Sequence, residues 1–304
     1  MGAGADVVRA WHRLWAAHPA LTRGYFEIVG LGRSILPEPV SARLFNHIQR
    51  ASWPDLALRP RKVRVGAHSS FWLHPHAGEF DFEALARTTM TYESSLVRWL
   101  EGRMHQYDAI LEVGANVGFF TTFFAVRRPD ARVVALEPSL RAFARLEQNL
   151  AANGVTNVVP LRAAVAAENG SIDFFEPAGH LTNGSLRRDF AEQFTSDVTR
   201  TQVPAVTGRD LEPYLAGART LLVKIDVEGA EPIVLDALAD LILDRKPDVV
   251  IEVLPGQEAA ILATRVCRSG AFAWREITPA GAVVRDVPVA GTARDWWLEK
   301  VQGC

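Results

Sequence analysis

From about residue 91 onward, short apolar runs alternate with amphipathic stretches. Thr91 to Glu101 carries helical spacing, Ala109 to Val113 reads as a strand, and Phe119 to Arg127 reads as a helix that stops before Pro129. Arg132 to Leu136 is the next strand. Ser139 to Asn153 is a helix with Ser139 as its N-cap and Gly154 as its stop. Val158 to Val165, Leu221 to Ile225 and Val249 to Val253 read as strands, and Ala230 to Leu243 as a helix ended by Lys246-Pro247. Short apolar strands separated by helices predict an α/β fold, a doubly wound and mostly parallel sheet covered on both faces. Residues 166–220 form an insertion in which Ser171 to Phe175 and Thr201 to Val206 alternate as extra strands. Trp296-Trp297 belong to a last strand packed on the sheet.

Residues 1–90 lack this alternation. Val7, Val8, Trp11, Leu14 and Trp15 recur at helical spacing, which predicts a short amphipathic helix ending before Pro19. Pro37, Pro39, Pro54, Pro60 and Pro75 follow, with one short strand at Lys62 to Val65. The expected organisation is a helical, loop-rich appendage over 1–90 and a larger domain over 91–304. The aromatic stripe is expected to pack on its own core, with contact to a membrane or partner as the alternative.

Composition narrows the class. The chain has 304 residues, 48% of them apolar and 22% charged, with a net charge of −2. That is a globular balance, and it gives nothing to drive nucleic-acid binding. Two cysteines, Cys267 and Cys304, cannot build a disulfide framework, so a reducing compartment is expected. No uninterrupted apolar run is long enough to span a bilayer, and the N-terminus lacks the pattern of a signal peptide. The expectation is a cytoplasmic protein; homo-oligomer formation stays open.

The first chemical signal is Glu112-Val-Gly114-Ala-Asn116-Val-Gly118, between a strand and a helix. Small residues let backbone approach a ligand, and helix N-terminal amides can hold an anion. The following strand ends in Glu137, where a carboxylate can accept both hydroxyls of a ribose. Together these point to an adenosine-type ligand. A dinucleotide fingerprint would need glycine where Asn116 and Phe119 stand, which disfavours a pyrophosphate.

The second signal is Lys224-Ile-Asp226-Val-Glu228-Gly-Ala-Glu231 at the end of a strand. Open parallel sheets bind ligands beyond such ends. Acids there can orient a hydroxyl, accept its proton or hold a metal. Helix-dipole decoration accounts for Glu228 and Glu231, less well for Asp226, and not for a lysine inside an apolar strand. A row of Glu112, Lys224 and Glu252 across neighbouring strands would supply that lysine with partners. Base candidates are Asp226, Glu228, Glu252 and His180, the last in a polar loop of the insertion. A divalent ion on Asp226, Glu228 and Glu252, or on His74 and His76, is the weaker reading, and no metal is assigned.

These motifs, with Leu136-Glu137-Pro138 and Val250-Ile-Glu252, resemble the FkbM family of S-adenosylmethionine (SAM) methyltransferases over roughly residues 91–256. Tyr92-Glu93 and Asp210 add to the resemblance. It implies a class I methyltransferase fold, Rossmann-like, with SAM as cofactor and O-methylation of a small-molecule or glycan hydroxyl. By that resemblance Glu93, Glu112, Gly114, Asn116, Gly118, Glu137 and Asp226 line the cofactor, and Asp226 and Glu228 sit near the acceptor. An NAD-dependent oxidoreductase and a non-catalytic nucleoside-binding protein are the rival readings.

Overall fold

The structure, a computed structural model, describes residues 18–32, 35, 40, 56, 58–76, 79–288 and 294–301. The segment Val7 to Trp15 and Cys304 lie outside them. The chain divides into two compact units, residues 1–92 and 93–304.

In the first unit, helix α1 spans Pro19–Gly32 and a hairpin pairs β1 (Arg61–Val65) antiparallel with β2 (Ser69–Leu73). Pro19, read from sequence as a stop, opens a helix. A proline at the first helical position lacks only an N–H that would have no intrahelical acceptor. Phe26 of α1 is buried and meets Phe82 edge-to-face at 5.2 Å, among Leu56, Leu58 and Leu85. Glu27 ties α1 to β1, accepting from the Arg61 guanidinium at 2.6 Å.

The second unit runs α2 (Ser94–Arg103), β3 (Ala109–Val113), α3 (Phe119–Arg127), β4 (Arg132–Leu136), α4 (Leu140–Asn153) and β5 (Val158–Leu161). The insertion contributes β6 (Ala164–Val165), β7 (Gly170–Pro177) and β8 (Val198–Val206). Then come β9 (Leu221–Ile225), α5 (Glu231–Ala237), α6 (Ala239–Arg245), β10 (Asp248–Glu252), β11 (Phe272–Thr278), β12 (Gly281–Arg285) and β13 (Asp295–Lys300). The main sheet has the order β12-β11-β13-β10-β9-β3-β4-β5. From β10 to β5 all neighbours are parallel, and β13 is antiparallel to both β10 and β11. This is a doubly wound α/β fold. Its order reverses at β3, which stands between β4 and β9, and this is where such sheets take ligands.

Alternation along the central strands sorts the two faces. Leu111, Val113, Val223, Ile225, Val249 and Ile251 join Leu235, Leu238 and Ile242 in one apolar layer. The intervening positions include Glu112 and Lys224, and α3 covers them. Thr121 of α3 donates to Glu112 at 2.6 Å, and the Phe120 ring lies 4.7 Å from the Lys224 ammonium.

Two predicted elements are split. The run Val158 to Val165 breaks after Leu161, where the Ala163 amide turns back onto the Leu161 carbonyl at 3.0 Å. The chain then leaves the main sheet and pairs β6 with β8 in a three-stranded sheet, β6-β8-β7. The helix expected over Ala230 to Leu243 breaks at Leu238, whose φ of −94° and ψ of 4° are not helical. Asp210 completes a capping box with Thr207 and so has a structural function in the insertion.

Candidate active site at the strand ends

The turn after β3 is built from three left-handed residues: Gly114 (φ +88°), Asn116 (φ +52°) and Gly118 (φ +82°). A Cβ on Gly114 would lie 1.7 Å from the Asp226 carbonyl oxygen, and one on Gly118 would lie 2.4 Å from Leu146 Cδ1. Both glycines therefore let protein pack on protein. Gly114 brings the β3 turn against the end of β9, and Gly118 seats it on α4. Asn116 accepts the Val117 amide on Oδ1 at 2.8 Å and donates Nδ2 to the Thr182 carbonyl at 3.3 Å. That second bond joins the turn to the insertion.

Glu137, at the end of β4, is buried beside this turn. Its Oε2 accepts the Asn116 amide at 2.8 Å and its Oε1 the Ser139 amide at 2.8 Å. Burial lifts its carboxyl to about 7 against the lowering effect of those amides.

Lys224 is 3% exposed and donates to Asp226 Oδ2 at 2.9 Å. Across the β3–β9 pair it stands opposite Glu112. The expected row of Glu112, Lys224 and Glu252 is not formed as such. The β9–β10 register sets Val250 beside Lys224, which puts Glu252 one step beyond Ile225, level with Asp226. Burial opposes the lysine's charge, but Asp226, Glu93 and Glu112 outweigh it and hold the ammonium above its usual range.

Asp226 is the electrostatic centre. Its negative charge raises the carboxyl groups of Glu112, Glu137, Glu228, Glu231, Glu252 and Asp295. In each case burial is the larger cause, because an ionised carboxylate is disfavoured away from water. The results are about 7 for Glu112 and Glu231, about 8 for Glu228 and about 10 for Glu252. Glu231 accepts the Val227 and Gly229 amides at 3.1 and 3.2 Å, which fixes the turn after β9. Glu228 occupies that turn with a left-handed φ of +53°.

Three contributors escaped the sequence reading. Asp295 opens β13 and pairs directly opposite Glu252. Arg294 donates to Glu252 Oε1 at 3.2 Å. Ser185, fully buried in the insertion, donates to the Glu228 carbonyl at 2.7 Å and accepts the Arg187 amide at 3.0 Å. Asp295 just ahead of Trp296-Trp297 was the available signal, but its place depends on an antiparallel register that no local pattern specifies.

A cavity of about 470 Å³ opens over this turn, lined by Asn183, Arg187, Phe190, Phe194, Glu228 and Arg294 among others. His180 packs its ring on Phe194 with centroids 5.4 Å apart, one side chain back from the cavity. His74 and His76 take separate partners in the first unit, the Leu58 carbonyl and the Asp81 carboxylate. Among the described residues no group of three or more His, Cys, Asp or Glu side chains is disposed to hold a metal ion. Nor is any helix there long and apolar enough to cross a membrane.

A switch-point turn, an acid at the next strand end and a carboxylate cluster beneath a cavity form a candidate ligand site of the doubly wound class. The family model of the methyltransferase FkbM domain matches residues 112–266, just over half the chain, and the protein belongs to that family. Methyltransferase 1 of Beauveria bassiana is 26% identical over 178 residues, covering 54% of this chain and 72% of its own. Methyltransferase sdnD of Sordaria araneosa is 26% identical over 173 residues, covering 47% and 65%. The 31-O-demethyl-FK506 methyltransferase FkbM of Streptomyces tacrolimicus is 29% identical over 205 residues, covering 59% and 76%. Family membership sets aside the oxidoreductase alternative.

Proposed function

We propose that this methyltransferase binds SAM at the switch point and methylates a hydroxyl oxygen of a small-molecule or glycan acceptor held in the cavity over Glu228. The observation that carries this reading is the placing of Glu137, at the end of β4 beside the Asn116 amide, and of Asp226 and Glu228, beyond the end of β9, on either side of the β3 turn. The donor set suits a nucleoside. Each Glu137 oxygen accepts one backbone N–H, and a carboxylate has about four lone-pair sites, which leaves room for two ribose hydroxyls. Glu112 and Asp226 offer negative charge where the cationic end of the ligand belongs. When bound, SAM supplies a methyl group already activated on a sulfonium.

The chain's own residues do the rest. Lys224 donates to Asp226 and fixes its position. Glu228 lines the cavity, and in its deprotonated form it can accept the acceptor's hydroxyl proton. A group near 8 is well matched to that task. Glu252, raised to about 10, keeps its proton at neutral pH and adds no further charge to the cluster. Positioning alone can supply several kcal/mol of such a barrier, and the insertion serves it by tying Thr182 to Asn116 and Ser185 to the Glu228 carbonyl.

Titration calorimetry with SAM, followed by labelled-methyl transfer to a panel of glycans and hydroxylated metabolites, tests the reading. Binding with transfer to a hydroxyl is the expected result. SAM binding without turnover on any acceptor would favour a non-catalytic role, and transfer to nitrogen or carbon would displace the O-methyl assignment.

A further inference from the structure

Helix α1 has two apolar faces, and its own unit uses one of them. Thr22 and Phe26 point into the small core at 0% exposure. On the opposite side Leu21, Ile28 and Leu31 are 65%, 71% and 62% exposed, and Ile35 just beyond the helix is 78% exposed. Ala20 and Gly24 are exposed as well. At about 100° per residue, Ala20, Leu21, Gly24, Ile28 and Leu31 fall within one stripe roughly 100° wide, and no polar residue interrupts it. A continuous apolar stripe facing water on a folded helix marks an interaction surface.

The charge balance around it indicates the occupant. Among the described residues from 18 to 76, Arg23, Arg59, Arg61, Lys62 and Arg64 stand against Glu27 alone, although the whole chain is at −2. Two copies meeting through this face would bring like charges together, whereas an anionic lipid surface complements them. The outward face of the β1–β2 hairpin has the same chemistry. Trp72 is 43% exposed, stands directly opposite Lys62, and shares that face with Arg64. A tryptophan flanked by cationic side chains suits the boundary between head groups and acyl chains.

We infer that helix α1 and the outward face of the β1–β2 hairpin form an interfacial docking surface for anionic lipid, with the Leu21, Ile28 and Leu31 stripe entering the head-group boundary. The surface is independent of the methyl-transfer reading and is assayed without cofactor or acceptor.

The test is flotation of the full chain with vesicles of phosphatidylcholine mixed equally with phosphatidylglycerol, against vesicles of phosphatidylcholine alone. The expected result is binding to the anionic vesicles, weakened by high salt. The triple variant Leu21→Ser, Ile28→Ser, Leu31→Ser should reduce it about tenfold or more with an unchanged thermal melt. Lys62→Glu, on an exposed strand position, should weaken the salt-sensitive part in a chain with the stripe intact. Absence of flotation, equal binding to neutral vesicles, or unchanged binding by the triple variant would overturn the inference. So would a dimer, seen by light scattering, that the triple variant dissolves without any vesicle binding, which assigns the stripe to a second copy.

Discussion

Lys224 reaches two residues along its own strand to Asp226, at 2.9 Å, while it stands opposite Glu112 on the neighbouring strand. The buried ammonium is therefore the cation that faces both Asp226 and Glu112 within the carboxylate cluster. Lys224→Met removes it and leaves buried acids facing one another. Loss of one partner of a buried pair costs about 3–5 kcal/mol. Without the cation the folded-state carboxyl values rise further, so stability should fall as pH rises and partly recover in acid. Urea unfolding at pH 5.5 and at pH 8 checks this, since pH 5.5 lies below the roughly neutral carboxyl values of the cluster. A pH difference no larger than that of the unsubstituted protein would show that Lys224 is not the counter-ion.

Glu137→Ala should weaken SAM binding by roughly 1.5–3 kcal/mol, because the ribose hydroxyls would lose a charged acceptor. The same change releases the Asn116 and Ser139 amides, so calorimetry is paired with a thermal melt. An unchanged dissociation constant in a folded variant would remove Glu137 from the cofactor site.

The two glycines of the β3 turn should differ in their tolerance of a methyl group. At Gly114 the added carbon would strike the Asp226 backbone at 1.7 Å, and backbone cannot yield cheaply. At Gly118 the nearest atom is the flexible end of Leu146, at 2.4 Å. Gly114→Ala should destabilise by on the order of 3 kcal/mol or more, and Gly118→Ala by roughly 1–2 kcal/mol. Denaturant midpoints measure both. The reverse order would mean that the β9 end moves freely.

Glu228 and Glu252 set a pH dependence with a definite sign. Their folded-state values, about 8 and about 10, lie above the ordinary 4.5. Between those limits the folded protein holds protons that the unfolded chain has released. The stability they contribute is complete below about 4.5 and is lost as pH rises through 8 and then 10. Melting temperature should therefore decline from pH 5 to pH 9, within that window, and Glu252→Gln should flatten the decline while leaving the fold intact. For activity the sign is opposite. The base must lose its proton, so the rate should rise with pH, pass half-maximum near 8 and level off above it, and Glu228→Gln should abolish that rise. A flat profile in the unsubstituted enzyme would move the proton to another group.

The central strands were legible because each is largely buried on both faces and reads as a short, mostly apolar run: Ala109–Val113, Arg132–Leu136 and Leu221–Ile225 fall where the pattern placed them. The Ser139 cap and the Gly154 stop of α4 were equally local, one a side-chain acceptor for a helix amide and the other a left-handed C-cap. The motif residues were visible for a related reason. A charged residue inside an apolar strand, or a glycine turn at its end, departs from what burial alone would select.

What tertiary structure decided was everything that depends on register between distant segments. Sequence spacing placed Lys224 and Glu252 in one row, but a parallel register offset set Val250 beside the lysine and left Glu252 facing Asp295 and Arg294. Asp295 joins the cluster only because β13 runs antiparallel between β10 and β11. Ser185 and Thr182 reach the site because the insertion folds back on it, and the hydrogen bonds that hold it join residues 43 and 66 positions apart. Apolar period and capping are short-range preferences that a window of residues can express. Pairing partners and the electrostatic company of a buried acid are set when separate elements meet, so they belong to the fold as a whole.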